Sequence, residues 1–62
     1  MIIANLKSEP EVVTLTLVDR TKRRITVGPR GSSAAQVQVM DNILMTDDLI
    51  NKIRNRIISV IQ

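Results

Sequence analysis

The sequence predicts an α+β fold: a β-hairpin, with a third antiparallel strand as an option, covered by one C-terminal amphipathic helix. Two periodicities and one absence lead there. Apolar residues alternate with polar ones from Val12 to Val27, the period of strands with one buried face. From Leu49 to Ile61 apolar residues recur at helical spacing instead. The chain has 62 residues, 44% of them hydrophobic, yet no Cys, His, Phe, Trp or Tyr. Its interior must come from Ile, Val, Leu, Met and Ala, without the aromatics, disulfides or metals that usually reinforce domains of this size. The length supports one domain over residues 1–62.

Residues 1–11 read as an N-terminal arm. Ile2-Ile3-Ala4-Asn5-Leu6 has strand-like composition, suited to pairing with the hairpin edge or with a neighbouring chain. Lys7-Ser8-Glu9-Pro10-Glu11 is a polar linker. Residues 12–28 form the hairpin: Val13, Leu15 and Leu17 alternate with Thr14, Thr16 and Val18, and Arg24-Ile25-Thr26-Val27 resumes the pattern after Asp19-Arg20-Thr21-Lys22. Setting the apolar residues on one face pairs Leu17 with Ile25, Leu15 with Val27 and Thr16 with Thr26. An odd-length loop, Arg20-Thr21-Lys22, follows, with Lys22 in the left-handed position. Gly28-Pro29 ends the second strand, because proline donates nothing to a ladder.

Residues 29–34, Pro29-Arg30-Gly31-Ser32-Ser33-Ala34, are a loop. Residues 35–45 are a strand or a short helix. Ala35, Val37 and Val39 alternate with Gln36 and Gln38, whereas a helix capped by Ser33 would spread its apolar residues around most of its circumference. A strand over Ala35 to Met40 is preferred. Residues 46–62 form the helix, with Thr46 as N-cap and Asp47 and Asp48 favourably placed in the first turn. Leu49, Ile50, Ile53, Ile57, Val60 and Ile61 fall within an arc of about 120° at 100° per residue. That stripe is the candidate core or subunit face. Met40 and Met45 read as adaptable core filler.

Composition narrows the function. Without Cys or His, the usual nucleophile, general base and soft metal ligands are missing. The six carboxylates are scattered, and the adjacent Asp47 and Asp48 diverge on a helix. An enzyme, a cofactor and a small-molecule substrate are therefore not expected. Gly28-Pro29-Arg30-Gly31-Ser32-Ser33 lacks the Lys-Ser/Thr ending of a phosphate-binding loop and reads as a connector. Met1 to Leu6 is too short for a signal-peptide core, and no apolar run approaches a membrane span. The expected setting is the cytoplasm or a particle assembled there.

Nine Lys and Arg against six acids give a net charge of +3. Arg20, Lys22, Arg23, Arg24 and Arg30 are the candidate anion or nucleic-acid contacts. With no aromatic residue to stack on bases, they read first as a solvated turn that blunts a strand edge. The function expected is thus structural: a subunit that self-associates or packs into a larger complex, such as a minor component of a virion or phage tail.

Lys22-Arg23-Arg24-Ile25-Thr26-Val27 is also a basic alternating strand, and Leu44-Met45-Thr46-Asp47-Asp48 suits a turn between two helices. In that layout residues 22–62 resemble the ribbon-helix-helix DNA-binding family. The resemblance implies an obligate dimer whose paired strands enter the major groove. Two departures make it the second reading: residues 35–44 show no clean helical stripe, and Val12 to Val18 already offers Ile25 and Val27 a partner.

Overall fold

The two Ile-rich stretches near opposite ends of the sequence pair with each other. In the computed structural model, which describes residues 1–62, β1 (Ile2–Asn5) lies between β4 (Gln36–Gln38) and β6 (Ile58–Ile61), antiparallel to both. Ile3 faces Val37 on one side and Val60 on the other, and Asn5 faces Ile58, so these side chains share the inner face. A second antiparallel sheet has the order β3-β2-β5, from β2 (Glu11–Leu17), β3 (Lys22–Val27) and β5 (Ile43–Leu44). One helix, α1 (Asp47–Arg54), joins β5 to β6.

The fold is therefore mostly β, and the expected α+β layout with a C-terminal helix is overturned. The helix starts as expected, with Thr46 Oγ1 accepting from the Leu49 N–H at 3.3 Å. It stops after Arg54. Arg56 takes a left-handed φ of 59°, its N–H donates to the Ile53 carbonyl at 3.1 Å, and the Ile57 N–H donates to the Lys52 carbonyl at 2.9 Å. That bond pair is a Schellman close, usually signalled by Gly or Asn at the left-handed residue. Beyond it, Ile58-Ser59-Val60-Ile61 is rich in β-branched residues and takes the ladder that Ile2–Asn5 supplies.

Three other expectations change. Within residues 1–11, Ile2–Asn5 is a strand as its composition suggests, but it joins neither the hairpin edge nor a neighbouring chain: it is the middle strand of the other sheet. The strand within Ala35 to Met40 forms, as Gln36–Gln38, but joins β1; the hairpin takes Ile43–Leu44 as its third strand. The hairpin itself has a shifted register: Ile25 faces Val13, Arg23 faces Leu15 and Lys22 faces Thr16. Its loop is Val18-Asp19-Arg20, with the Leu17 N–H donating to the Thr21 carbonyl at 2.8 Å. Arg20, not Lys22, is left-handed, with φ 74°. The cause is Asp19, whose Oδ1 accepts from the Thr21 N–H at 2.9 Å and fixes the turn there. Because the displacement is even, Val13, Leu15, Ile25 and Val27 keep a common face.

Both sheets and the helix contribute to one core of Ile3, Val13, Leu15, Val27, Leu49 and Ile58. Asn5, 2% exposed, ties the sheets together. Its Nδ2 donates to the carbonyls of Glu9 at 2.8 Å, Gly28 at 2.9 Å and Val27 at 3.3 Å, while its Oδ1 accepts from the Lys7 N–H at 2.9 Å. Gly28 must be glycine, because a Cβ there would lie 2.8 Å from the Ala34 Cβ. A Lys52–Glu11 ion pair fastens α1 to β2.

Candidate interaction site

Only 8 of 62 residues are buried, so much of the apolar content stays at or near the surface. The largest apolar concentration is a groove of about 330 Å³ beside the hairpin, lined by Leu15, Leu17, Ile25, Val39, Met40 and Ile43, with Arg23 and Asn42. Strand alternation explains the first set: Leu15, Leu17 and Ile25 occupy the face that looks inward, and Ile43 joins them opposite Leu17. The opposite wall comes from the chain between β4 and β5, where the Val39 N–H is held by the Met1 carbonyl at 2.8 Å. Met40 stands 75% exposed at this wall, contrary to its expected place in the core, and Met45 is exposed too. Asn42 Oδ1 is buried and accepts no hydrogen bond. A buried acceptor without a donor is unfavourable by about 1–3 kcal/mol.

Of the basic residues, Arg23 borders this groove. Arg20, Lys22, Arg23 and Arg24 are all exposed, and none is in an ion pair. Arg23, opposite Leu15, lies on the groove face; Lys22 and Arg24 lie on the other. The backbone groups of Lys22, Arg24 and Thr26 point away from β2, because the odd-numbered residues of β3 make the ladder bonds. Charged side chains along that edge oppose pairing with a like strand. Arg30 is separate, in the loop beyond the other end of β3, where its N–H donates to the Lys7 carbonyl at 2.8 Å.

Asp19 sits among these cations with its carboxyl held below the usual carboxylate range. The Thr21 backbone N–H is the main cause, then the Thr21 hydroxyl, with a smaller share from Arg23. A depressed native value adds turn stability above the ordinary carboxylate range, lost as pH falls through the native value. In an NMR acid titration, the Asp19 carboxyl should therefore have its midpoint below the ordinary aspartate value of 3.8. A midpoint at or above that value would refute the Thr21 anchor.

The six residues expected to form one helical face are divided by the fold. Leu49 is core, Ile50 and Ile53 are half-buried on α1, and Ile57 follows its last turn. Val60 and Ile61 lie on opposite faces of β6, with Ile61 half exposed. The carboxylates disperse as well: no three of them gather in one place. No helix is long and apolar enough to cross a membrane. No family model, curated protein or solved structure matches the chain.

Sequence reasoning missed the groove wall and its orphan acceptor. Val39, Met40 and Ile43 carry no periodic signal together, because a strand ends and another begins between them. The density of apolar residues over Val37 to Leu44, interrupted only by Gln38, Asp41 and Asn42, was the available cue.

Proposed function

We propose that the protein is a non-enzymatic assembly subunit that buries its hairpin groove against another protein surface, a second copy of the chain in the first instance. The observation that carries this reading is the open groove, with Met40 exposed on one wall. An exposed apolar concavity rimmed by polar residues is a common mark of an interaction surface. Arg23 at the rim adds a charge that can meet a carboxylate of the partner surface. A minor component of a virion, phage tail or comparable particle is the setting this reading suits.

Sedimentation velocity across micromolar concentrations provides the test. The wild-type chain should sediment as an oligomer, and Met40→Lys should sediment as a monomer with little change in melting temperature, since the side chain is already mostly in water. A wild-type monomer throughout the range, melting cooperatively, would overturn self-association.

The unpaired cations of the hairpin favour a second reading, in which nucleic acid is the partner. The ribbon-helix-helix layout is absent, for there is one helix and β3 pairs with β2 in the same chain. Under the assembly reading, duplex DNA binds weakly and without sequence preference at physiological salt. Nanomolar, selective binding lost on Arg23→Ala with Arg24→Ala would put the DNA reading in its place.

A further inference from the structure

The edge of β6 differs from the edge of β3 in chemistry. In the pairing of β6 with β1, Ile57 accepts from the Leu6 N–H at 3.0 Å, so the odd-numbered residues face β1. The N–H and C=O groups of Ile58 and Val60 therefore point away from β1; Ile58 is covered, at 1% exposed, and half-buried Val60 is the residue left open along this edge. No charged side chain, proline or bulge protects this edge. Beside it runs a second groove, of about 410 Å³, which includes Leu6 and Ser59 from one face of the sheet and Ile58 and Val60 from the other. A groove that touches both faces of one strand follows the strand's edge. Its far wall is the end of α1, with Ile53, Arg54 and Arg56.

Two observations indicate what this groove accepts. The outward backbone groups match an added strand, the mode in which an extended peptide continues a sheet edge. Arg54 and Arg56 are exposed and outside every ion pair of the structure, giving the groove a positive wall. Arg56 holds that place in a left-handed conformation for which Gly or Asn would be the conformationally easier choice. We propose that the β6–α1 groove binds an extended acidic segment of a partner protein by strand addition, its backbone pairing with Val60 and its carboxylates meeting Arg54 and Arg56. Nucleic acid fits less well, since it cannot pair with a strand edge and the chain has no aromatic residue on which bases could stack. This inference is independent of the hairpin groove, on a different part of the surface.

The test uses fluorescence anisotropy with a labelled decapeptide of alternating Glu and Val, its Lys–Val counterpart, and a ten-nucleotide single strand of DNA. The Glu–Val peptide should bind, with the Lys–Val peptide and the DNA weaker by about tenfold or more. Val60→Pro removes an outward N–H without touching the β1 ladder, and should reduce peptide binding by a similar factor. Arg56→Gly separates binding from folding: it should raise the melting temperature by relieving the left-handed arginine while weakening the Glu–Val peptide. Absence of Glu–Val binding, equal binding of the two peptides, or preference for DNA would overturn the proposal. So would an Arg56→Gly variant that gains stability and keeps full affinity, or a sedimenting dimer that only Val60→Pro dissolves.

Discussion

Replacing Leu49 with Ala should leave the chain close to unfolding at 25 °C. Leu49 is 1% exposed and is the only fully buried side chain of α1. It belongs to the same core as Ile3 and Ile58 of one sheet and Val13, Leu15 and Val27 of the other. Truncation removes the helix's one deep contact with both layers and leaves a cavity, a change that typically costs about 2–5 kcal/mol. A chain of this length has a total stability of roughly 3–9 kcal/mol at typical per-residue values. The loss is thus a large part of the whole. Urea unfolding followed by circular dichroism would read it, with the half-buried Ile50→Ala as a milder comparison. A Leu49→Ala loss below about 1 kcal/mol, or one no greater than that of Ile50→Ala, would mean that the helix is not fastened through this residue.

Leu49 also shows what the sequence made legible. The helical period from Leu49 to Ile53 is real, and the Thr46 cap marks its start. The same period continues on paper through Val60 and Ile61, although those residues are strand. Helix and strand compete for Ile57-Ile58-Ser59-Val60-Ile61, and the competition is decided by Ile2–Asn5, more than fifty positions away in sequence. Local periodicity carries no information about such a partner. The stop signal was also disguised, because Arg56 occupies the left-handed position that glycine would have announced.

The hairpin was legible to the extent that its physics is local. Alternation identified the strands, the buried face and an odd-length loop, all of which survive in the structure. The register depends on one side-chain hydrogen bond, from the Thr21 N–H to Asp19, and composition ranks no turn position finely enough to reveal it. For the interaction site, the basic residues of the hairpin were readable as exposed. The groove that Arg23 borders was hidden, since it needs Leu15 and Ile25 to meet Met40 and Ile43 across two connections.

Asn5 was read only as part of a strand-like stretch, yet its replacement by Asp should rival the loss of Leu49. The Nδ2 group faces the carbonyl oxygens of Glu9, Val27 and Gly28, in a site only 2% exposed. Asn5→Asp puts an oxygen where that donor stood. At neutral pH a buried carboxylate would then confront three acceptors, with the Lys7 N–H alone in its favour. Desolvation and the missing donor both disfavour the charged form, so the variant's native carboxyl should titrate above its unfolded value of about 3.9. A native value raised in this way means that the folded state binds more protons. Stability relative to wild type therefore falls as pH rises above the unfolded value, and the full penalty stands once pH exceeds the native value. Below the unfolded value the protonated carboxyl can donate to one carbonyl, and part of the loss returns. The expected result is a deficit of about 3 kcal/mol or more at pH 7, from the unpaired acceptors and the buried charge together. Asn5→Leu, which loses the same hydrogen bonds without adding a charge, should show a deficit that does not vary with pH. Denaturant unfolding of all three proteins between pH 4 and pH 7 separates the cases. If Asn5→Asp matched wild type at pH 7, or its deficit followed pH no more steeply than that of Asn5→Leu, the Asn5 side chain would not be the tie between the two sheets.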